Sequence, residues 1–122
     1  MKTLRWIAVL ACLVATPAFA QKAKVYDYST RLSSLLADTQ GNAMIGPAGW
    51  KAIANEANAL ANKLYAASHV NATARGLARD ARAHVREMHK AAMKGDAAGA
   101  KAHAAMALPF VHKLVDWSSP PR

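Results

Sequence analysis

Residues 70–117, VNATARGLARDARAHVREMHKAAMKGDAAGAKAHAAMALPFVHKLVDW, read as two helices folded back on each other. At about 100° per residue, Val70, Ala74, Leu77, Ala81, Val85, Met88 and Ala92 gather on one face of the first. Arg75, Arg79, Arg82, Arg86 and Lys90 form a narrow stripe on the opposite face. One stripe suits a core and the other water, which is the pattern of an amphipathic helix. Asp80 and Glu87 stand where they can pair with the cations of their own helix. Lys94-Gly95-Asp96 is the turn: Gly95 can take the left-handed backbone of a helix stop, and Asp96 can accept the free amides that open the next helix.

On the second helix His103, Met106, Ala107, Phe110, Leu114 and Trp117 share one side, and His112 falls towards the polar side. Pro109 lacks an amide and clashes with the carbonyl four residues earlier, so a kink or break is expected there. In an antiparallel pair about this turn, residues whose numbers add to about 191 lie opposite each other. Met88 then faces His103 and His84 faces Met106, bringing two imidazoles and two thioethers to one level.

Ahead of this hairpin, Val25, Tyr28, Leu32, Leu35 and Leu36 repeat at helical spacing, and that helix ends near Gln40. Residues 41–49 hold three glycines and Pro47 and read as a loop. Pro47 suits the first turn of a further helix, on which Trp50, Ile53, Ala57, Leu60, Leu64 and Ala67 line one seam. Ser68-His69-Val70-Asn71 marks its boundary; the alternative is one long helix running through these residues into the hairpin. The expected fold is all-α, an up-down bundle of three or four antiparallel helices. Ser118-Ser119-Pro120-Pro121-Arg122 is expected to be a frayed tail, leaving residues 21–117 as one domain.

Residues 1–20 have the layout of a cleaved secretory signal. Lys2 and Arg5 precede the apolar run Trp6 to Val14, and Ala18-Phe19-Ala20 is a small-x-small cleavage site. The expected destination is the periplasm or the exterior; the alternative is a lipoprotein box at Val9-Leu10-Ala11-Cys12. Cys12 is the only cysteine and leaves with the signal, so the mature chain has no disulfide, thiolate ligand or covalent haem attachment. The whole chain carries 16 Lys and Arg against 7 Asp and Glu, and loss of Lys2 and Arg5 still leaves a strongly basic protein.

Three functional readings follow. Imidazole with thioether suits a soft ion such as copper, or haem iron, so His84, Met88, His103 and Met106 are the candidate ligands. Copper would imply storage or delivery, and haem would imply electron transfer or sensing. Alternatively the Arg75, Arg79, Arg82, Arg86 and Lys90 stripe faces an anionic surface or protein partner, in a purely structural or interaction role. No aromatic residue interleaves with the stripe, so no nucleic acid is expected as partner. Thirdly, a homodimer could close on an alanine-rich seam with Trp50 or Trp117 exposed. Enzyme chemistry is not expected, because the seven carboxylates are scattered and no nucleophile has a base at a suggestive spacing.

The Gly95-Asp96 turn, the alanine-rich run through Ala107 and the ending Phe110-x-His112 to Trp117 resemble the last helix of the small periplasmic four-helix-bundle cytochromes, b-type and c-prime. That resemblance implies a haem-binding bundle with His112 as an iron ligand.

Overall fold

A computed structural model describes residues 17–120; the expected signal apart from its last residues, Cys12 included, and the terminal Pro121-Arg122 lie outside the described residues. Four helices follow one another: α1 Pro17–Gly41, α2 Pro47–Ala67, α3 Ala72–Met93 and α4 Ala97–Ser118, with a 3-10 turn at Ser68–Val70. No strand occurs among the described residues. Consecutive helices run antiparallel and pack side by side, and α4 closes the ring against α1. The fold is therefore an all-α, up-down four-helix bundle.

Each helix end has a local cause. Pro47 opens α2 at a position where its missing amide costs nothing. Asn71 takes extended backbone (φ −141°, ψ 131°) and its side chain accepts the Ala74 amide at 3.1 Å, so α2 and α3 are separate helices. The alternative of one long helix is thereby corrected. Gly95 sits at φ 77°, its amide reaching the Ala92 carbonyl while that of Asp96 reaches the Ala91 carbonyl. This paired arrangement is the Schellman ending that a left-handed glycine allows. Asp96 Oδ1 then accepts the Gly99 amide at 2.9 Å and starts α4.

Three other boundaries differ from expectation. α1 begins at Pro17, eight residues before Val25, and so spans the expected cleavage site at Ala20. Pro109 does not break α4, which runs on to Ser118. Pro109 itself is exposed, while Ala104, Ala107, Val111 and Leu114 hold the opposite face in the core on both sides of it. The cost of the lost amide bond is met on the solvent side, where water can reach the freed carbonyl. Ser118, expected in the tail, is 3% exposed and donates to the Leu114 carbonyl at 2.6 Å.

The core is built largely on alanine. Ala54, Ala57 and Ala61 on α2, Ala74, Ala78 and Ala81 on α3, and Ala100, Ala104 and Ala107 on α4 are all buried. Leu32, Leu36, Leu64, Met88 and Leu114 are the largest side chains fully enclosed between them. Ser29, Thr39 and Ser68 are buried too, each turning its hydroxyl back onto a carbonyl three or four residues earlier in its helix. Trp50, considered above as an exposed dimer contact, is 5% exposed and belongs to the core. Val70, assigned to the apolar face of α3, lies in the 3-10 turn and is 52% exposed.

Such faces have no room to spare. Ala104→Leu should lower unfolding stability by about 1–3 kcal/mol through overpacking. Ala102→Leu, on the exposed side of the same helix, should stay within about 0.5 kcal/mol of the parent. Urea unfolding followed by helical circular dichroism measures both.

Candidate functional site

The α3–α4 pair carries the candidate ligands, and the alanine faces decide where they go. On α4 the buried line is Ala100, Ala104, Ala107, Val111, Leu114 and Ser118. The wheel drawn through His103, Met106, Phe110 and Trp117 is thus rotated away from the true contact line by most of one residue's turn. His103, Met106, Phe110 and Trp117 lie on the flank of that line, while Val111 and Leu114 stay on it.

On that flank His84 of α3 meets His103 of α4. Their ring centroids are 6.2 Å apart with planes 29° from parallel. His84 also lies against Phe110, with centroids 5.8 Å apart and planes at 14°. Both imidazoles are half-buried, and Nδ1 of His103 is enclosed with no hydrogen-bond partner in the protein. A buried imidazole nitrogen with nothing to bond costs free energy, so this atom needs an explanation.

Of the four expected ligands the two imidazoles lie against each other, and the two thioethers differ in exposure. Met88 is fully buried as part of the core, one helical turn from His84. Met106 is 49% exposed, on the solvent side of the flank that carries His103 and Phe110. His84 thus lies against His103 and Phe110. Among the described residues no group of three or more His, Cys, Asp or Glu side chains converges on one point. His112, the position implied for haem ligation, is exposed on the outer side of α4, since the uninterrupted helix does not rotate it inward. Phe110 and Trp117, which flank it in sequence, are half-buried, and the Lys22 ammonium sits 5.3 Å from the Trp117 ring.

The basic stripe divides in two. Arg75, Arg79, Arg86 and Lys90 are exposed, whereas the Arg82 guanidinium lies over the Tyr65 ring of α2 at 3.8 Å. That contact is worth roughly 0.5–1 kcal/mol at such a site and fixes one flank of α3 against α2. Arg79 pairs with Asp80 at 3.3 Å and Lys90 with Glu87 at 3.2 Å. These exposed pairs add little stability but tie both acids to the far side of the stripe. His89 reaches Asn55 Oδ1 at 2.8 Å, and His69 Nδ1 reaches the Tyr65 carbonyl at the same distance.

Tyr65 has no place in the sequence reading, yet it receives both Arg82 and the edge of His69, with ring centroids 4.7 Å apart in the second case. An antiparallel register for α2 and α3, like the one drawn for the hairpin, is the signal that would have found it. Three cavities have other linings. A surface groove of about 450 Å³ runs between α1 and α2 beside Thr30, Asp38 and Glu56. A second of about 260 Å³ involves Gln21, Tyr28 and Lys63, and a small one of about 50 Å³ sits by Trp50 and Gly95.

No known protein family, curated protein or solved structure matches the chain.

An enclosed nitrogen without a partner should be a cost to the ligand-free protein. His103→Leu, which fills a comparable space without the polar atom, should raise stability by about 1 kcal/mol or more, since such atoms cost roughly 1–3 kcal/mol. Thermal and urea unfolding without added ligand give the answer. A loss of stability would mean that Nδ1 is satisfied in solution.

Proposed function

We propose that this is a non-catalytic, exported bundle that holds a soft metal ion, Cu(I) foremost, between α3 and α4. His84 and His103 are its two principal ligands. The observation that carries the reading is the enclosed, unpartnered Nδ1 of His103 lying across from a second imidazole at 6.2 Å between ring centroids. Two imidazoles that share an ion from opposite sides, through bonds of about 2 Å, set their ring centroids roughly 6 Å apart. The observed centroid spacing is of that size, with the ring planes 29° from parallel.

Ligand chemistry favours copper in its reduced state. Imidazole accompanied by a thioether is a soft set, and Cu(I) tolerates the low coordination number that two histidines provide. Met106 stands at the exposed edge of the same flank, where its flexible side chain can swing in as a further ligand or pass the ion on. Met88, one helical turn from His84, is fully buried in the core. Haem is less favoured because His112, the residue implied as its iron ligand, is exposed on the outer side of α4.

Export rests on the charged start, apolar run and Ala18-Phe19-Ala20 of the first twenty residues. Among the described residues no helix is long and apolar enough to cross a membrane. A basic bundle with one partly exposed Cu(I) position suits storage or delivery of the ion outside the cytoplasm.

Competition between the mature protein and a chromophoric Cu(I) chelator, under reducing conditions, tests this. The parent should take up a single ion per chain, and His84→Ala/His103→Ala should abolish uptake. Met106→Leu should weaken it on the order of ten-fold, the loss of about 1.4 kcal/mol. Undiminished uptake by the double variant would overturn the assignment.

A further inference from the structure

Two contacts fix which sides of α2 and α3 look at each other: Arg82 over Tyr65, and His89 on Asn55. At about 100° per residue, Asn58 and Asn62 share the flank of Asn55 on α2, while Arg75, Arg79 and Arg86 continue outward from Arg82 on α3. Asn55 and Asn62 are exposed and Asn58 half-buried; the three arginines are exposed. A row of primary amides thus runs beside a row of guanidinium groups, along a shallow seam on the outside of the bundle. From Arg75 to Lys90 the cationic row rises about 22 Å along the helix axis.

We propose that this seam binds a linear acidic polysaccharide, independently of the metal site between α3 and α4. The guanidinium forks are matched to carboxylate or sulfate groups, which they can grip through two parallel hydrogen bonds. The neighbouring amides supply both donors and acceptors, which suit the hydroxyl and acetamido groups of sugar rings. A surface that recognised charge alone would gain nothing from that second row.

The rival polyanions fit less well. A bilayer surface would be met by an amphipathic helix with an apolar face to insert, and the apolar face of α3 is buried in the core. A single-stranded nucleic acid needs free aromatic faces for its bases. Tyr65, the aromatic residue of this seam, already carries Arg82 across one face and His69 at its edge. Asp80 and Glu87 are held by Arg79 and Lys90, which leaves Arg75 and Arg86 without a recorded carboxylate partner among the described residues.

The test is isothermal titration of the mature protein with polyuronate oligosaccharides. Neutral dextran oligosaccharides, vesicles rich in phosphatidylglycerol, and polyphosphate serve as comparators. Polyuronate should bind and dextran should not, with affinity falling steeply as salt rises from tens to hundreds of millimolar. Arg75→Gln/Arg86→Gln should weaken binding on the order of ten-fold. Asn62→Ala should weaken polyuronate but leave any residual binding to polyphosphate and vesicles unchanged. All three positions are exposed, so the variants keep the fold. The proposal is overturned if polyuronate does not bind, or if vesicles or polyphosphate bind as tightly with Asn62→Ala affecting no ligand.

Discussion

The burial of alanine along α2, α3 and α4 is the constraint from which the rest of this bundle follows. Ala54, Ala57 and Ala61, Ala74, Ala78 and Ala81, and Ala100, Ala104 and Ala107 occupy the lines along which the helices touch. Small side chains let helix axes approach, and larger ones enter the buried faces only at places such as Trp50, Leu64, Met88 and Leu114. Each alanine buries little apolar area, so stability depends on many close contacts and on the few large residues enclosed among them, such as Leu36, Leu64, Met88 and Leu114. Helix ends fixed by Asn71, Gly95 and Asp96 hold the register in which those contacts interlock.

The displaced side chains collect on the flanks, and both candidate sites lie there. Between α3 and α4 the flank gathers His84, His103 and Phe110; between α2 and α3 it gathers Tyr65, Arg82, Asn55 and His89. A stiff, narrow core thus serves as a scaffold that fixes the spacing of polar groups at its outer seams. Ligands mounted on regular helices keep their positions better than ligands on loops. Apart from the exposed Asn55, these flank groups are half-buried, close enough to the core to be held and close enough to solvent to be reached.

Much of the fold was legible in the sequence, for reasons that are local. Pro47 and Gly95 act through their own backbone, and Asn71 and Asp96 through side-chain caps on amides three residues on, so the ends they impose could be placed without tertiary knowledge. Pro109 misled because the cost of a proline inside a helix depends on which face it occupies, and that is a property of the bundle. The rotation of α4 was missed for a related reason: a wheel weighted by hydrophobic size draws the core through Met106 and Phe110, whereas alanine decides the contact line. Of the candidate site, the register brought His84, Met88, His103 and Met106 to one level but paired each imidazole with a thioether, so the His84–His103 contact was not drawn. The exposure of Met106 and the part played by Tyr65 required knowing how the helices are turned about their axes.

X-ray absorption at the copper edge on the Cu(I)-loaded protein addresses the central claim, that a soft ion is held by His84 and His103 across the α3–α4 flank. The account predicts nitrogen neighbours at about 2 Å with the outer-shell scattering of imidazole rings, a signature lost when both histidines are replaced. A first shell of sulfur alone, or a spectrum that the double replacement leaves unchanged, would contradict it.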